Sequence, residues 1–498
     1  MKYIRRLVSC LVTASLIIST LLLMTRLTER KDSEAKYSDF LGQKENFDVL
    51  FFGSSRVING VFPMELWNDY GIVSYNFGGH ANTTCVDYWM MKNSLDYTTP
   101  KLVVIDCPGI LSNYKTAKDS LSFLHQSFDA FPLSVTKIQA VNDLLTDPEI
   151  STGLGEEAQS KLSLLWDFSV YHSRWNEINK TDLIRHRSPE KGAESRIAVT
   201  PGVFEKCDVE KRSEETIGLQ YLRKIIEECQ ENDIDVLLMF LPFPAESWHQ
   251  VSALTVTDIS KEYGVPYINF LDLDVVNYST DCYDAKSHLN PSGARKVTDY
   301  LGEFIREHYD IPDQRQNSRY KKWYEDYQTY CQRKRDNLKA QTTLENYLML
   351  MKDKHLNAVI EVNHHEPFQC ELYSELFKNI GVAPQDVTEK TRWIIIEKGG
   401  EKVVYDRSTD TVSSPLGEVK RVITPAADEE SNDSVSLFLD DRQLYQTDGG
   451  SEYTLRITLL DERTSEVIDS VSYYFSKTKE LNADAKEKTK LELSRIVR

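Results

Sequence analysis

Residues 48–56 read D-V-L-F-F-G-S-S-R, a run of large apolar residues that leads directly into a glycine and two serines. A strand that is apolar on both faces is typical of a parallel sheet covered by helices on both sides. Ligands bind such sheets at the carboxyl ends of the strands, and Gly53 permits the tight turn that would expose the next hydroxyl groups there. The segment predicts a doubly wound α/β fold and places Ser55 where a nucleophile would lie.

The same alternation of apolar strand and amphipathic helix continues on both sides of a long interruption. Further strands are predicted at residues 72–77, 101–106, 234–241 and 265–270, and helices at residues 63–70, 82–97, 217–230 and 290–308. This order predicts one five-stranded parallel sheet in a domain spanning residues 46–311. The interruption, about residues 111–199, has a helical pattern and is predicted to be an insertion of the kind that often covers a site.

A base for Ser55 is offered by residues 284–294, D-A-K-S-H-L-N-P-S-G-A. Asn290 is predicted to cap the closing helix, so His288 would be held at the entry to that helix. Because a helix N-terminus disfavours a protonated imidazole, a nearby carboxylate is needed, and Asp284 is the local candidate. Ser55, His288 and Asp284 form a predicted catalytic triad.

These two segments resemble the first and last sequence blocks of the SGNH (GDSL-like) hydrolases, over roughly residues 46–308. In that family the serine of the first block is the nucleophile, and the histidine and aspartate of the last block complete the triad. The resemblance carries these roles onto Ser55, His288 and Asp284. It is strongest to membrane-anchored members from Gram-positive bacteria, which resemble partners of membrane-bound O-acyltransferases and the D-alanyl transfer protein of teichoic acids.

The second block departs from the family pattern. It usually reads N-x-G-x-x-G and supplies an oxyanion-hole amide from its last glycine, whereas residues 76–81 read N-F-G-G-H-A. The backbone N–H of Ala81 survives the change, and Gly79 is a second predicted donor. The last block departs as well, since Asp284 stands four residues before His288 instead of three, which makes Asp281 an alternative.

The third block normally supplies an asparagine after a strand, but residues 104–109 read V-I-D-C-P-G. Loss of such an oxyanion donor can cost on the order of 10² to 10³ in rate. Asp106 lies at this position and would either orient His288 or cap the next turn. A non-catalytic protein that keeps the SGNH frame for glycan binding or as a scaffold is therefore the alternative to an enzyme.

Residues 171–175 of the insertion, Y-H-S-R-W, resemble a recurring Y-H-x-R-W element of the anchored relatives. In one interpretation Arg174 binds a carboxylate or oxyanion of the substrate and Trp175 stacks on a sugar. In the other, Trp175 is a core residue beside a salt-bridged arginine.

Residues 7–24 carry no charge and follow Lys2, Arg5 and Arg6, which predicts a signal anchor within residues 1–28. The basic flank would stay in the cytoplasm and send the rest of the chain outside, after a juxtamembrane linker at residues 29–45. The formal net charge of -18 argues against nucleic acid as a partner.

The C-terminal part begins with a predicted helical linker, residues 312–344. It carries an aromatic stripe formed by Tyr320, Trp323, Tyr324, Tyr327 and Tyr330. The stripe would either pack on its own domain or contact a membrane or a glycan. Residues 345–476 are predicted to form a mixed α+β domain. Its segments N-A-V-I-E-V-N (357–363), W-I-I-I-E-K-G-G-E-K-V-V-Y-D (393–406) and L-R-I-T-L-L-D-E-R-T-S-E-V-I-D-S-V (455–471) resemble the interleukin-like inducer domain of epithelial-to-mesenchymal transition. The charge-dense tail, residues 477–498, is predicted to be a frayed helix.

Taken together, the residues and the resemblance predict an extracytoplasmic serine acyl-ester hydrolase or O-acyltransferase that acts on a cell-envelope or secreted polysaccharide. Its partners would be an acylated glycan or acyl donor, the membrane, and a membrane-bound O-acyltransferase. The eight cysteines show no zinc-binding spacing, and neither a metal nor another cofactor is predicted. The C-terminal domain offers no nucleophile and base together and is predicted to be a binding module.

Overall fold

The computed structural model describes residues 2–29, 37–117, 121–146, 157–166, 168–183, 187–353, 355–397, 402–406, 409–426, 433–448, 453–476 and 490–495. The chain divides into two compact units, each assembled from separate stretches. The first comprises Met1–Arg196, Gly202–Val276 and Ala285–Tyr330, and the second comprises Ile197–Pro201, Asn277–Asp284 and Cys331–Arg498. Residues 277–284, which the sequence places in the first domain, thus cluster with the second unit.

A five-stranded parallel sheet forms the centre of the first unit, in the order β2-β1-β3-β4-β5. Its strands are β1 Val49–Phe52, β2 Ser74–Asn76, β3 Leu102–Asp106, β4 Asp235–Phe240 and β5 Tyr267–Asn269. Every residue of β1, β2 and β3 is buried, as strands covered on both faces should be. The predicted doubly wound α/β class and all five predicted strands are confirmed.

Helices of the first unit precede, connect and follow these strands, and others form the long insertion. They are α1 Lys2–Thr28, α2 Ser38–Gly42, α3 Ser55–Gly60, α4 Pro63–Tyr70, α5 Thr84–Leu95, α6 Leu121–Phe128, α7 Val135–Leu144, α8 Glu157–Leu165, α9 Phe168–Tyr171, α10 Ile217–Glu231, α11 Ser247–Tyr263 and α12 Pro291–His308. The insertion is helical as predicted, with α6 to α9 and two 3₁₀ turns, His172–Asn176 and Lys180–Leu183.

Among the described residues, one helix is long and apolar enough to cross a membrane. It spans Tyr3–Thr28, has a mean hydropathy of 2.4, and buries none of its most apolar stretch. The apolar run of α1 is therefore exposed over most of its length.

The aromatic stripe of the predicted linker packs on the first unit. Helix α13, Lys321–Lys339, begins there, and Tyr320, Trp323 and Tyr330 join the core around the parallel sheet. Trp323 is fully buried, whereas Tyr324 remains 45% exposed. Packing within the protein is thus the dominant role of the stripe.

The second unit contains two antiparallel sheets. A six-stranded sheet has the order β15-β14-β13-β6-β7-β8, and a four-stranded sheet has the order β12-β11-β10-β9. The strands are β6 Leu356–Val362, β7 Thr391–Ile396, β8 Lys402–Asp406, β9 Thr411–Ser414, β10 Gly417–Thr424, β11 Ser434–Leu439, β12 Arg442–Asp448, β13 Leu455–Asp461, β14 Val467–Ser476 and β15 Lys490–Arg495. Two helices accompany them, α14 Leu344–Leu350 and α15 Glu371–Asn379.

The prediction of a frayed helix for the tail is wrong where the structure describes it. Lys490–Arg495 forms strand β15 and pairs antiparallel with β14. The alternation L-E-L-S-R within this strand matches a two-residue period, and the free edge of β14 supplies the backbone partners that a lone charged segment lacks. The remainder of the tail lies outside the described residues.

Candidate active site

Ser55 lies at the junction between the first strand and a short helix that the sequence did not predict. Strand β1 ends at Phe52, Ser54 caps the helix by accepting a hydrogen bond from the Arg56 N–H, and Ser55 is the first residue of α3. Gly53 joins the two elements with φ +148°, and a Cβ atom there would lie 2.7 Å from Val57 Cγ2. Only glycine satisfies both the backbone angle and the close approach.

The second-block residues hold α3 in place. The side-chain amide of Asn76 donates hydrogen bonds to the carbonyls of Val57 (2.7 Å) and Val61 (2.9 Å), at the middle and end of α3. The Asn76 oxygen accepts a bond from the Gly78 N–H at 2.9 Å. Gly78 in turn touches the helix, because a Cβ atom there would lie 2.6 Å from the nitrogen of Ile58. Ser55 is thus carried by a helix with a fixed position on the sheet.

His288 meets Ser55 across 233 residues of chain. The Ser55 Oγ lies 2.8 Å from His288 Nε2, within hydrogen-bond distance. As predicted, Asn290 caps α12, accepting bonds from the N–H groups of Ser292 (3.1 Å) and Gly293 (3.3 Å). Helix α12 also packs against α3, so the segment that carries His288 leads directly into a helix in contact with the one that carries Ser55.

The predicted third member of the triad, Asp284, is grouped with the second unit. Asp284 ends the segment Asn277–Asp284, which clusters with the second unit, so its contact with His288 stays a prediction. The alternative, Asp281, is fully buried in the second unit. Its two carboxylate oxygens accept bonds from the Asn277 N–H (2.8 Å) and the Asn379 side-chain amide (3.0 Å).

Asp106, at the end of β3, forms a turn contact at the carboxyl edge of the sheet. Its Oδ1 accepts a hydrogen bond from the Leu241 N–H at 3.0 Å, which corresponds to the capping alternative. Its Oδ2 is buried and has no hydrogen-bond partner among the described residues. Burial raises the pKa of Asp106 to about 6, against the opposing influence of the Arg56 charge.

A cavity of about 270 Å³ is lined in part by Ser54 and Arg56, the residues on either side of Ser55 in sequence. The wall combines apolar surface with six polar or charged side chains: Ser54, Arg56, Asn82, Asp87, Asp106 and His249. Trp248 also lines the cavity and stacks on His249 with ring centroids 3.5 Å apart. Sites with convergent polar groups of this kind are typical of small-ligand binding.

Three groups in the cavity wall have strongly shifted pKa values: Asp106, described above, and also Asp87 and His249. Burial raises the pKa of Asp87 to about 8, and the neighbouring negative charge of Asp106 adds to the rise. Burial, with the nearby Arg56 charge, lowers the pKa of His249 to about 4. At neutral pH the Asp87 carboxyl is therefore mostly protonated, and His249 is neutral. Clusters of shifted pKa values mark functional sites more often than plain surface.

The predicted oxyanion donors have different surroundings. The Gly79 N–H donates to the Gly53 carbonyl at 2.9 Å and is occupied by the backbone. Ala81 is exposed and adopts φ +53°, and its N–H has no acceptor among the described residues. Of these two amides, only that of Ala81 is open to a ligand.

Arg174 and Trp175 do not line the cavity described above. The Arg174 guanidinium donates to the Thr28 carbonyl at the end of α1 (2.8 Å) and pairs with the buried Asp182 (2.8 Å). Trp175 is 69% exposed, so it is not a core residue. The salt-bridged interpretation of Arg174 is therefore the one that matches its contacts.

Sequence reasoning missed the residues of the cavity wall other than Asp106. Arg56 stands next to Ser55 in the quoted segment, and its guanidinium lies 3.9 Å from the centre of the Phe243 ring. Asp87 was assigned only as part of a helix, although a carboxylate on an otherwise buried helix face was a usable signal. His249 carried no signal, because its position beside Arg56 depends on the folded chain.

No protein-family model matches the chain, and the search of curated proteins finds no match. Twelve chains of solved structures match, and two of them are similar at 11% identity. A protein described as an acylhydrolase from Bacteroides fragilis aligns with a TM-score of 0.27 over 56% of this chain and 99% of its own. A GDSL-like lipase from Bacteroides thetaiotaomicron aligns with a TM-score of 0.26 over 52% of this chain and 87% of its own. These scores are too low to assign an activity.

Proposed function

We propose that the chain is a serine-dependent acyl-ester hydrolase or O-acyltransferase. The observation that carries this proposal is the 2.8 Å contact between Ser55 Oγ and His288 Nε2 at the carboxyl end of a parallel strand. Nucleophilic acyl transfer requires at least a nucleophile and a general base within hydrogen-bond distance, and a hydroxyl and an imidazole can fill these two roles.

The reaction would follow the two-step course of serine esterases. Ser55 Oγ attacks the acyl carbonyl while His288 Nε2 takes its proton, and the leaving alcohol departs with that proton. Water or a sugar hydroxyl then attacks the acyl-serine ester, loses its proton to His288, and regenerates Ser55. Asp284 is proposed to orient the imidazole for these transfers.

Two backbone amides are proposed to stabilise the oxyanion. The Ser55 N–H begins α3 and, like the Ala81 N–H, has no acceptor among the described residues. Backbone donors directed at the developing charge contribute most in sites that exclude water. Gly79 would support this arrangement indirectly, by holding the Gly53 carbonyl.

The cavity supports a small acyl group. Its volume of about 270 Å³ is below the range of pockets for drug-sized ligands. Its polar wall, with Arg56 and the Asp87 carboxyl, favours a short or polar acyl chain over a long alkyl chain.

The setting proposed for this chemistry is the outer face of a cell membrane. The apolar helix α1 would anchor the chain, with both folded units outside, next to a polysaccharide substrate. A membrane-bound O-acyltransferase is proposed as partner on the strength of the sequence resemblance. The second unit would serve as a glycan- or protein-binding module.

A fluorophosphonate probe on the purified chain tests the proposal. We expect labelling of the wild type and no labelling of Ser55→Ala. Ser54→Ala removes the adjacent hydroxyl and with it the cap of α3, so it is expected to label more slowly than the wild type but still on Ser55. Labelling that persists in Ser55→Ala, or is lost only in Ser54→Ala, would contradict the assignment of the nucleophile.

A non-catalytic scaffold is the second candidate, favoured by the occupied Gly79 amide and by the absence of an asparagine in residues 104–109. In that case the probe labels nothing while the chain still binds polysaccharide. Hydrolysis of soluble acetyl esters, measured alongside, separates the two candidates.

A further inference from the structure

The end of helix α1 is joined to the insertion of the first unit. Arg174 donates a hydrogen bond to the Thr28 carbonyl (2.8 Å), and the Trp166 indole N–H donates to Thr25 Oγ1 (3.1 Å). An arginine that binds the last carbonyls of a helix satisfies groups that otherwise lack partners and complements the helix dipole. The buried Asp182 pairs with the same guanidinium, so Arg174 is held by α1 and by the insertion at the same time.

The junction starts where the apolar part of α1 stops. Residues 7–24 carry no charge, and at 1.5 Å per residue they measure about 27 Å, close to the hydrocarbon thickness of a bilayer. Side chains up to Met24 are exposed, whereas Thr25 is half-buried and Thr28 is buried. Within the described part of the chain, side chains of α1 are therefore half-buried or buried only from Thr25 onward, at the level expected for the membrane surface.

The same part of the insertion exposes large apolar side chains. Trp175 is 69% exposed, Leu183 66%, Leu162 51% and Val170 37%. Val170 lies in α9, and Trp175 and Leu183 lie in the two 3₁₀ turns, all three of which contact α1. Four exposed apolar side chains within 22 positions are unusual on a surface that faces water. Tryptophan and leucine are common where a protein contacts the headgroup layer of a membrane.

We propose that Trp175, Leu183, Leu162 and Val170 form a lipid-facing surface. Through this surface the first unit would contact the bilayer next to its membrane helix α1. The proposal rests on the anchoring role of α1 given above. Arg174 is a positioning residue here, because it ties the turn that carries Trp175 to the end of the anchor. The consequence for function is that the unit carrying Ser55 would be held at a fixed height and tilt above the membrane.

Tryptophan quenching in vesicles tests the proposal. The full chain is reconstituted in equal parts phosphatidylcholine and phosphatidylglycerol, with lipids brominated near the headgroup. We expect brominated lipid to quench part of the fluorescence of the wild type, and Trp175→Phe to lose most of that quenched part. Trp248→Phe removes the other well-exposed tryptophan, on α11, and is expected to keep it.

Two results would overturn the proposal, and they are distinguishable. If the chain resists alkaline carbonate extraction but Trp175→Phe is quenched as much as the wild type, the lipid-facing surface is wrong while the anchor stands. If carbonate releases the wild-type chain, the anchor and the surface fail together, whereas the assignment of Ser55 and His288 is unaffected.

Discussion

At the scale of single residues, the neighbourhood of Ser55 is defined by buried ionisable groups. Asp87 accepts a hydrogen bond from the Asn82 amide at 3.1 Å, and its pKa is raised to about 8. Asp106 has one carboxylate oxygen buried without a hydrogen-bond partner in the described part of the chain. Ionising both buried carboxyl groups would place two negative charges close together in a medium of low polarity, which costs free energy. Asp87 therefore keeps its proton at neutral pH.

This proton makes stability depend on pH. An unfolded chain ionises Asp87 near 3.8, and the folded chain ionises it near about 8. Between these values the folded state binds the extra proton, so stability falls as pH rises from about 4 to about 8. We expect Asp87→Asn, which cannot ionise, to flatten this decline in the thermal unfolding midpoint.

Asp96→Asn is the matched control, because Asp96 is an exposed carboxylate next to the end of the same helix. It should leave the pH dependence unchanged. An Asp87→Asn variant whose midpoint declines with pH as steeply as that of the wild type would show that Asp87 is ionised in the folded state.

At the scale of elements, the position of α3 decides whether Ser55 can react. The helix is pinned by the Asn76 amide and lies against Gly78, with its Ser54 carbonyl 2.9 Å from where a Gly78 Cβ would be. A methyl group at residue 78 would have to push backbone atoms apart. A displacement of about 1 Å at the chemistry can cost on the order of 10² in rate.

Gly78→Ala should therefore lose both stability, by about 1–3 kcal/mol, and most of the esterase activity of the molecules that remain folded. Gly264→Ala is the control. It strains a left-handed residue with φ +66° at the end of α11, costs about 1–2 kcal/mol, and meets no atom within 4 Å. If both variants lose activity only in proportion to their unfolded fraction, the close packing of Gly78 on α3 does not matter for catalysis.

The elements also show how far the sequence could predict the structure. The five parallel strands were predictable because strands buried on both faces are continuous apolar runs, as in β1 and β3. Helix α3 was not, because S-R-V-I-N-G has only six residues and is stabilised by Asn76 from another strand. Strands β9, β10 and β12 could not be predicted for a similar reason, since they are short or polar and owe their order to pairing within one sheet. Strand β9 pairs with β10, and both β10 and β12 pair with β11.

The candidate site was predictable only in part. Ser55 and His288 could be paired because each lies beside a strong local signal, a strand-to-glycine turn and an Asn-Pro helix start. The cavity wall could not, because Asp87 and His249 come from helices whose packing the sequence does not specify. Gly79 was predicted as a donor from its place in the motif, whereas its hydrogen bond to Gly53 depends on the folded backbone.

At the scale of the whole molecule, the chain combines an exposed apolar helix with two folded units. Helix α1 buries none of its most apolar stretch, which in water would expose a large apolar surface. Insertion into a bilayer removes that surface from water without any change in the folded units.

Two charges in the middle of α1 should prevent its insertion into a bilayer. Each arginine at the centre of a membrane helix costs about 2.5–3.5 kcal/mol, so Leu16→Arg with Ile17→Arg is expected to move the chain from the carbonate-resistant pellet to the supernatant. Leu16→Ile with Ile17→Leu is the control that keeps apolarity. A doubly charged variant that still pellets would mean that something other than α1 holds the chain to membranes.

Ser55 Oγ and His288 Nε2 are proposed to act together as nucleophile and base. The most direct measurement is peptide mass spectrometry of the chain quenched in acid during turnover of an acyl ester. We predict that the peptide carrying Ser55 gains the mass of the acyl group, and that His288→Ala accumulates no such adduct on the same timescale. An acyl group on any other residue, or steady hydrolysis with no adduct at Ser55, would contradict the account.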